Sequence, residues 1–349
     1  MTTPFLRTAL VVACGLLGLA GGAQAQTAPS QDSVQLYGLI DMSVGRFQEL
    51  GQERLYRAES GSMSTSYIGF SGVEDLGGGL KARFALEGFH RTDIGAQGRF
   101  NGDAFFARNA FVGLSGAFGT TQLGRNTTPL FVSTLAFNAF GDSFGFSPSI
   151  RHYFTSTPNV LVGDSGWNNS LMYSSNNYGG FSFNLLGNAG EGSTNAVGRN
   201  FSANVLYYGG PVGLTAVWQQ VKNATAPLPG GFENQETAQV GGSFDFNVAK
   251  VFAQYGQRKT NSAVSANALK TRIGGLGVSV PVGGLGKILG QFGYAKTTGG
   301  TEVSLRTGTI GYDYALSKRT DVYAVYMNER RSDLSPTANS IAAGIRHRF

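Results

Sequence analysis

Ser340-Ile341-Ala342-Ala343-Gly344-Ile345-Arg346-His347-Arg348-Phe349 decides the fold class. Ile341, Ala343 and Ile345 fall on one parity, continued by His347 and the terminal Phe349, while Arg346 and Arg348 fall on the other. Side chains alternate faces along a strand, so this stretch reads as a strand with one apolar face. Similar runs recur upstream. Together with an export signal at the other end, they predict an all-β, transmembrane antiparallel barrel in a bacterial outer membrane. Its last strand pairs with the first, because lipid tolerates no open sheet edge.

The export signal is residues 1–25. Arg7 is a basic n-region, Thr8 to Ala20 is an apolar run, and Ala23-Gln24-Ala25 is a small-residue cleavage site. A membrane-anchor helix needs a longer run with basic flanks. A lipoprotein signal ending at Cys14 needs a longer h-region than the few residues after Arg7. Removal leaves one domain, 26–349, and takes away Cys14, the single cysteine. Disulfides and thiolate metal sites are thereby excluded.

No stretch of 26–349 reaches the roughly 18 apolar residues of a transmembrane helix. Gly (52), Phe (25) and Tyr (14) are abundant, Pro (10) is scarce, and only 14% of residues are charged. Mean hydropathy is −0.08. Strands apolar on one face only produce this balance. The formal net charge of +6 is dispersed, so it reads as pore electrostatics rather than a nucleic-acid patch.

Phe181, Phe183 and Leu185 alternate with Ser182 and Asn184; Leu214, Ala216 and Trp218 alternate with Thr215 and Gln219. Seven tight turns are predicted at 75–79, 116–119, 177–180, 209–212, 247–249, 281–286 and 317–320, each carrying Gly, Asn or Ser. Eight longer polar stretches lie between them, near 47–61, 91–103, 127–167, 189–199, 222–235, 259–269, 297–302 and 330–338. Fifteen connections make about 16 strands, with both termini on the short-turn side. Such a barrel keeps an aqueous channel, whereas about eight strands leave none. Tyr207, Tyr208, Tyr312, Tyr314, Tyr323 and Tyr326 flank tight turns, where headgroup-level rings belong.

One connection stands apart. Residues 127–167 contain Leu130, Phe131, Leu135, Phe137, Phe140, Phe144, Phe146, Ile150, Tyr153 and Phe154, too apolar for a disordered loop. Folding into the lumen buries these residues; packing across the mouth or on a neighbouring subunit is the alternative.

Several stretches together resemble the general-diffusion porins of Gram-negative bacteria, in their β-proteobacterial form. They are Leu36-Tyr37-Gly38-Leu39-Ile40-Asp41, Gly72-Val73-Glu74-Asp75-Leu76-Gly77-Gly78-Gly79-Leu80-Lys81-Ala82 and Arg108-Asn109-Ala110-Phe111-Val112-Gly113-Leu114-Ser115-Gly116. Phe118-Gly119 through Leu123-Gly124-Arg125, Gly311 to Asp321 and Arg346 to Phe349 follow in order. The resemblance implies a 16-stranded barrel, a homotrimer, and a third loop folded inward as the constriction. It also implies that Phe349 is part of the signal read by the barrel-assembly machinery, and that anions are preferred.

Porin constrictions set wall bases against loop acids, so that a transverse field sorts solutes. By parity Arg83 and Glu87 oppose Phe84 and Leu86 and face the lumen. Arg108 matches the family's wall arginine. Arg125 matches the motif but shares a face with Leu123 and Thr121, so besides a filter residue it is a candidate anchor of the loop base or of an inter-subunit contact. Asp142, between Gly141 and Ser143, is the best loop acid, and Arg151 and His152 lie farther along the same loop. Two departures stand out. The family usually carries arginine where Tyr67 stands and often a base where Met172 stands, so either anion selectivity is weaker than in relatives or Arg83 and Arg151 supply the missing charge.

The expected function is passive diffusion of small hydrophilic solutes and ions through outer-membrane lipid, with no cofactor, metal or nucleic acid. A barrel hydrolase is the runner-up of another class. Yet none of His90, His152 and His347 sits in a nucleophile motif. An adhesin needs protruding loops rather than an inward one. A substrate-specific channel would use the phenylalanines of 131–154 as an aromatic slide.

Overall fold

The computed structural model describes residues 33–155, 163–188, 199–222 and 231–349. The expected signal, 1–25 with Cys14, lies outside the described residues. The strands are β1 (Ser33–Phe47), β2 (Leu55–Ser60), β3 (Tyr67–Gly77), β4 (Leu80–Arg91), β5 (Ala96–Gln97), β6 (Asn109–Gly116) and β7 (Gly119–Thr127). After helices α1 (Pro129–Ala136) and α2 (Pro148–Phe154) come β8 (Gly166–Ser174), β9 (Phe181–Asn188), β10 (Phe201–Gly209), β11 (Val212–Lys222) and β12 (Phe232–Asp245). The series ends with β13 (Lys250–Ser262), β14 (Leu269–Val282), β15 (Gly286–Gly299), β16 (Val303–Ala315), β17 (Thr320–Arg331) and β18 (Ala338–Arg348).

These segments form one closed antiparallel barrel of 16 strands. β2 and β3 are two pieces of a single wall strand: β1 pairs with β2 through Met42–Phe47 and with β3 through Ser33–Leu39. β5 is a stub paired only with His90 and Arg91 at the tip of β4. All seven tight turns fall where the Gly, Asn and Ser signals put them.

Closure joins β1 to β18, from Leu39 opposite Arg348 to Arg46 opposite Ile341. Gly38 and Phe349 add two reciprocal backbone bonds of 3.2 Å. A Cβ on Gly38 would lie 2.6 Å from both the Phe349 ring and the Tyr67 carbonyl, so only glycine fits this corner.

The parity reading holds around the wall. Val112, Leu123, Leu276, Ile310 and Ile341 point outward and are exposed, as a lipid-covered face requires. Many inward residues are polar, and several pair with one another. Gln239 and Gln254 bond at 3.0 Å, and Thr271 and Thr297 at 2.9 Å. Two tyrosines depart from the expected outer girdle. Tyr323 is buried inside, its hydroxyl donating to Asp41. Tyr208 stacks on Phe137 of the long loop at 5.8 Å. Each stands one residue off the outward parity of Ala324 or Tyr207, and parity outranks proximity to a turn.

The long third loop folds against the inner wall. Thr128 and Ser147 cap α1 and α2 by accepting from Phe131 N and Ile150 N, and a proline follows each cap as the first helical residue. Ser133 meets Thr215 on β11, Thr134 meets Gln239 on β12, Ser149 meets Gln291 on β15 and His152 meets Thr307 on β16. Phe140 and Phe146 join Met63, Leu289, Val325 and Met327 in an apolar cluster inside the barrel. Each such ring contributes about 1.5–3 kcal/mol by burial. Tyr153 is wholly buried on β13, where a Cβ on Gly256 would stand 2.1 Å from its hydroxyl.

Candidate functional site

The loop covers the inner faces of β10–β17, which leaves the passage beside the wall built from β1, β3, β4 and β6. Glu87 on β4 is the centre of that wall. Its carboxylate is buried, accepts from the Tyr37 hydroxyl at 2.6 Å and from the Asn109 side-chain amide, and lies 2.6 Å from Arg108 Nη1. Arg108 precedes β6, and its guanidinium lies over the Tyr67 ring, 4.1 Å from the centroid. A planar cation on an aromatic face is held rigidly without losing its charge. Tyr67 is therefore the platform that positions the wall arginine. Arg83 lies on the same inward face of β4, four residues nearer the turn.

Facing this wall is the tip of the loop. Asp142 accepts from the Ser64 hydroxyl at 3.0 Å and lies within electrostatic reach of both Arg108 and Tyr67. Ser64 belongs to 61–66, the inward break between β2 and β3. Asp41 holds that break by accepting from Met63 N (2.7 Å) and Ser64 N (2.6 Å). Ser62 O in turn accepts from the Ser143 hydroxyl at 2.7 Å. The interrupted strand is thus a socket for the loop tip.

Arg108, Glu87 and Asp142 come together; the other expected site residues do not. Arg125 donates to Ala107 O, to Asn168 and to Asp164, at 2.6–2.7 Å. Asp164 also holds Arg99, which binds Asp103, so a chain of ion pairs fastens the returning limb of the long loop. Burial alone would raise the Asp103 and Asp164 carboxyls. The hydrogen bonds and charges of Arg99, joined at Asp164 by Arg125, outweigh it and hold both below the usual carboxylate range. Arg151 is buried in a two-bond pair with Glu329, at 3.0 and 2.7 Å, with Glu49 at 3.3 Å. Met172 packs with Trp167, Leu186 and Val221 in an apolar cluster. Phe349 lies at the seam.

Two further inward cations lie outside the expected site. Arg258 on β13 is buried and donates to the His152 and Tyr153 carbonyls at the end of α2, where a helix terminus favours a cation. Arg346 binds Asp321 at 2.8 Å and Asp313 at 2.9 Å. Strand parity marks both as inward; their partners are set by tertiary contact. On the loop side of the constriction a cavity of about 280 Å³ is lined by Glu49, Glu59, His90, Arg91, Arg99 and Arg151. Charges of both signs thus stand on a passage bordered by polar side chains, an arrangement that admits hydrated solutes and sorts them by charge.

A profile of the Gram-negative porin family matches residues 8–334. The chain belongs to the Gram-negative porins. It is 33% identical to outer membrane porin protein 32 of Delftia acidovorans over 344 residues, covering 94% of this chain and 93% of that one. An outer membrane porin protein of Bordetella pertussis is 28% identical over 404 residues, covering 99% of this chain and all of the other. Among solved structures, the anion-selective porin from Comamonas acidovorans superposes with a TM-score of 0.80 at 28% identity, covering 91% of this chain and all of that one. This porin is an outer-membrane channel, and its relatives are channels rather than enzymes.

Proposed function

We propose that this porin is a trimeric, anion-preferring channel for passive diffusion of small hydrophilic solutes, filtered by Arg108 on the wall against Asp142 on the loop. One observation carries the reading: Arg108 sits over the Tyr67 ring, 4.1 Å from its centroid, within electrostatic reach of the acid on the loop tip. Arg83 extends the positive wall toward the turns. Arg125 and Arg151 act as structural clamps, the first fastening the loop base to Asp164 and the second tying α2 to Glu329. Trimeric assembly and recognition of Phe349 by the assembly machinery rest on the family resemblance, and removal of 1–25 rests on the signal pattern of Arg7, the apolar run and Ala23-Gln24-Ala25.

No catalytic role is included. His152 reaches Thr307 and Glu329 lies beyond it, but all three are sealed beneath α2, away from the passage. The deciding experiment is the reversal potential of Arg108→Gln under a salt gradient: movement toward cations supports the filter, and an unchanged value removes Arg108 from it.

A second reading has its own observation. Phe131 stacks on Phe144 at 5.9 Å and meets Phe154 edge-on at 5.2 Å, a half-exposed aromatic row on the loop. Such a row suits a solute with one apolar face. Liposome swelling by sugars should then slow in Phe131→Ala/Phe144→Ala while chloride conductance stays the same.

A further inference from the structure

The cavity of about 280 Å³ on the loop side of the constriction owes its room to the interrupted strand. β4 pairs with β3 up to Phe89 opposite Tyr67, and β2 pairs with β1. Among the described residues β2 and β4 share no ladder, so a gap stands between them above Tyr67. Glu59 borders the gap from β2, opposite inward Ser43. Arg91 borders it from β4, on the same inward parity as Glu87 and about 13 Å nearer the long loops. Phe144, Phe146 and Met327 supply an apolar side, with Phe144 half-exposed.

Not every charge on this cavity is engaged. Arg99 is held by Asp103 and Asp164, and Arg151 by Glu329, three acids that do not border the space. Arg91 differs. Its Nη2 donates to Asn101 at 2.8 Å, its Nε has no partner, and its Nη1 makes no hydrogen bond among the described residues. The acids leave matching acceptors. Both contacts of Arg57 with Glu59, at 2.9 Å, fall on Oε2, so Oε1 is left without a bond among the described residues. Glu49 meets Arg151 through one oxygen at 3.3 Å, with its side chain 64% exposed. The cavity therefore offers one cationic end and one anionic end beside an apolar side.

We propose that this cavity binds a free α-amino acid with an apolar side chain, held as the zwitterion. Its ammonium donates to Glu59 Oε1 beside Glu49, its carboxylate accepts from Arg91 Nη1, and its side chain lies against Phe144. With hydrogen bonds of about 2.8 Å at each end, the two charged groups of one α-amino acid reach across a space of this size. The volume falls below the roughly 300–1,000 Å³ of sites for drug-sized ligands, which sets the solute at amino-acid size. A simple anion satisfies Arg91 but meets repulsion from Glu49 and Glu59, and a simple cation meets the reverse. Both charges on one small molecule are thus the recognised property. Access to the cavity rests on the reading of the passage as an open solute channel, but binding there does not involve Arg108.

The test titrates L-leucine, N-acetyl-L-leucine and L-leucinamide into the full, folded porin at pH 6 and 0.1 M KCl. Occupancy is read as current noise in planar bilayers and as heat in detergent solution. L-Leucine should half-saturate the site at a concentration at least tenfold lower than either single-charge analogue. Glu59→Gln/Arg91→Gln should bind L-leucine at least tenfold more weakly than wild type. Arg108→Gln should bind it like wild type, while its reversal potential judges the filter separately. Equal half-saturation by the three solutes overturns the proposal, as does wild-type affinity in the double variant. A tenfold loss in Arg108→Gln overturns it too, because that result moves the solute to the constriction. Calorimetric binding needs no conductance, so a failure of the channel reading is distinguishable from a failure of the site. If the double variant does not fold, Arg91→Gln alone decides: unchanged affinity for L-leucine overturns the assignment.

Discussion

Replacing Arg108 by glutamine removes one full unit of charge from the wall. Tyr37 and Asn109 still donate to the Glu87 carboxylate. An ion passing about 6 Å from the guanidinium feels roughly 0.7 kcal/mol in water-like surroundings. At 0.1 M salt the Debye length of about 10 Å screens this to about 0.4 kcal/mol. An anion loses that attraction and a cation loses the matching repulsion, so the ratio of their permeabilities moves by about 0.8 kcal/mol, or about fourfold toward cations. At 1 M salt the Debye length falls to about 3 Å and the same substitution shifts the ratio less than about 1.5-fold. The assay is the reversal potential in a planar bilayer, measured with salt gradients centred on each concentration. Arg108→Lys, which keeps the charge but not the flat stack on Tyr67, should stay near wild type at both. The reasoning fails if the ratio does not move at 0.1 M. It fails equally if the shift is as large at 1 M, because that pattern belongs to a change of shape rather than of charge.

Glu329→Gln breaks the pair with buried Arg151 and should cost about 3–5 kcal/mol, seen as a lower melting temperature and noisier single-channel currents as α2 loosens; quiet currents at an unchanged Tm would count against the clamp. Asp103 and Asp164 titrate below their unfolded values near 3.9, so the loop-base clamp contributes fully above about pH 4 and is lost as pH falls through the folded values. Thermal melts should therefore drop between pH 5 and 3 in wild type and much less in Asp164→Asn, and parallel drops would refute this. Gly256→Val forces Tyr153 off the wall and should destabilise the loop by about 1–3 kcal/mol without opening the barrel; a melt identical to wild type would sink that claim.

The wall was legible because period-2 alternation and turn chemistry are local. Ser340 to Phe349 declared its two faces from sequence alone, and Gly116–Gly119 or Ser317–Thr320 needed no distant partner. The interruption at 61–66 was not legible, since its hydrogen bonds are completed by Asp41 and by Ser143 far along the chain. Site residues divide along the same line. Parity put Arg83 and Glu87 on the inward side of the wall, and Arg108 came from the family resemblance, since on β6 its parity is that of outward Val112 and Leu114. It could not say that Arg151 meets Glu329 across 178 positions, or Arg125 meets Asp164. Tyr67 shows the limit most clearly: as a missing charge it suggests a weaker filter, yet in three dimensions it is the surface on which the remaining charge is mounted.

Every wall contact but one joins neighbours along the chain, and such hairpins can zip as soon as both strands are made. The exception is the seam, where Gln48 N finds the Ser340 hydroxyl 292 positions away. Entropy alone does not make so distant a meeting forbidding, because its cost grows only logarithmically with separation. Lipid does, since an unfinished wall presents two raw edges to hydrocarbon. Time therefore enters the architecture at β18. Until it docks on β1, fifteen correctly paired strands have no stable place in the bilayer. Assembly of this porin is governed by its slowest, longest-range event rather than by the many fast local ones.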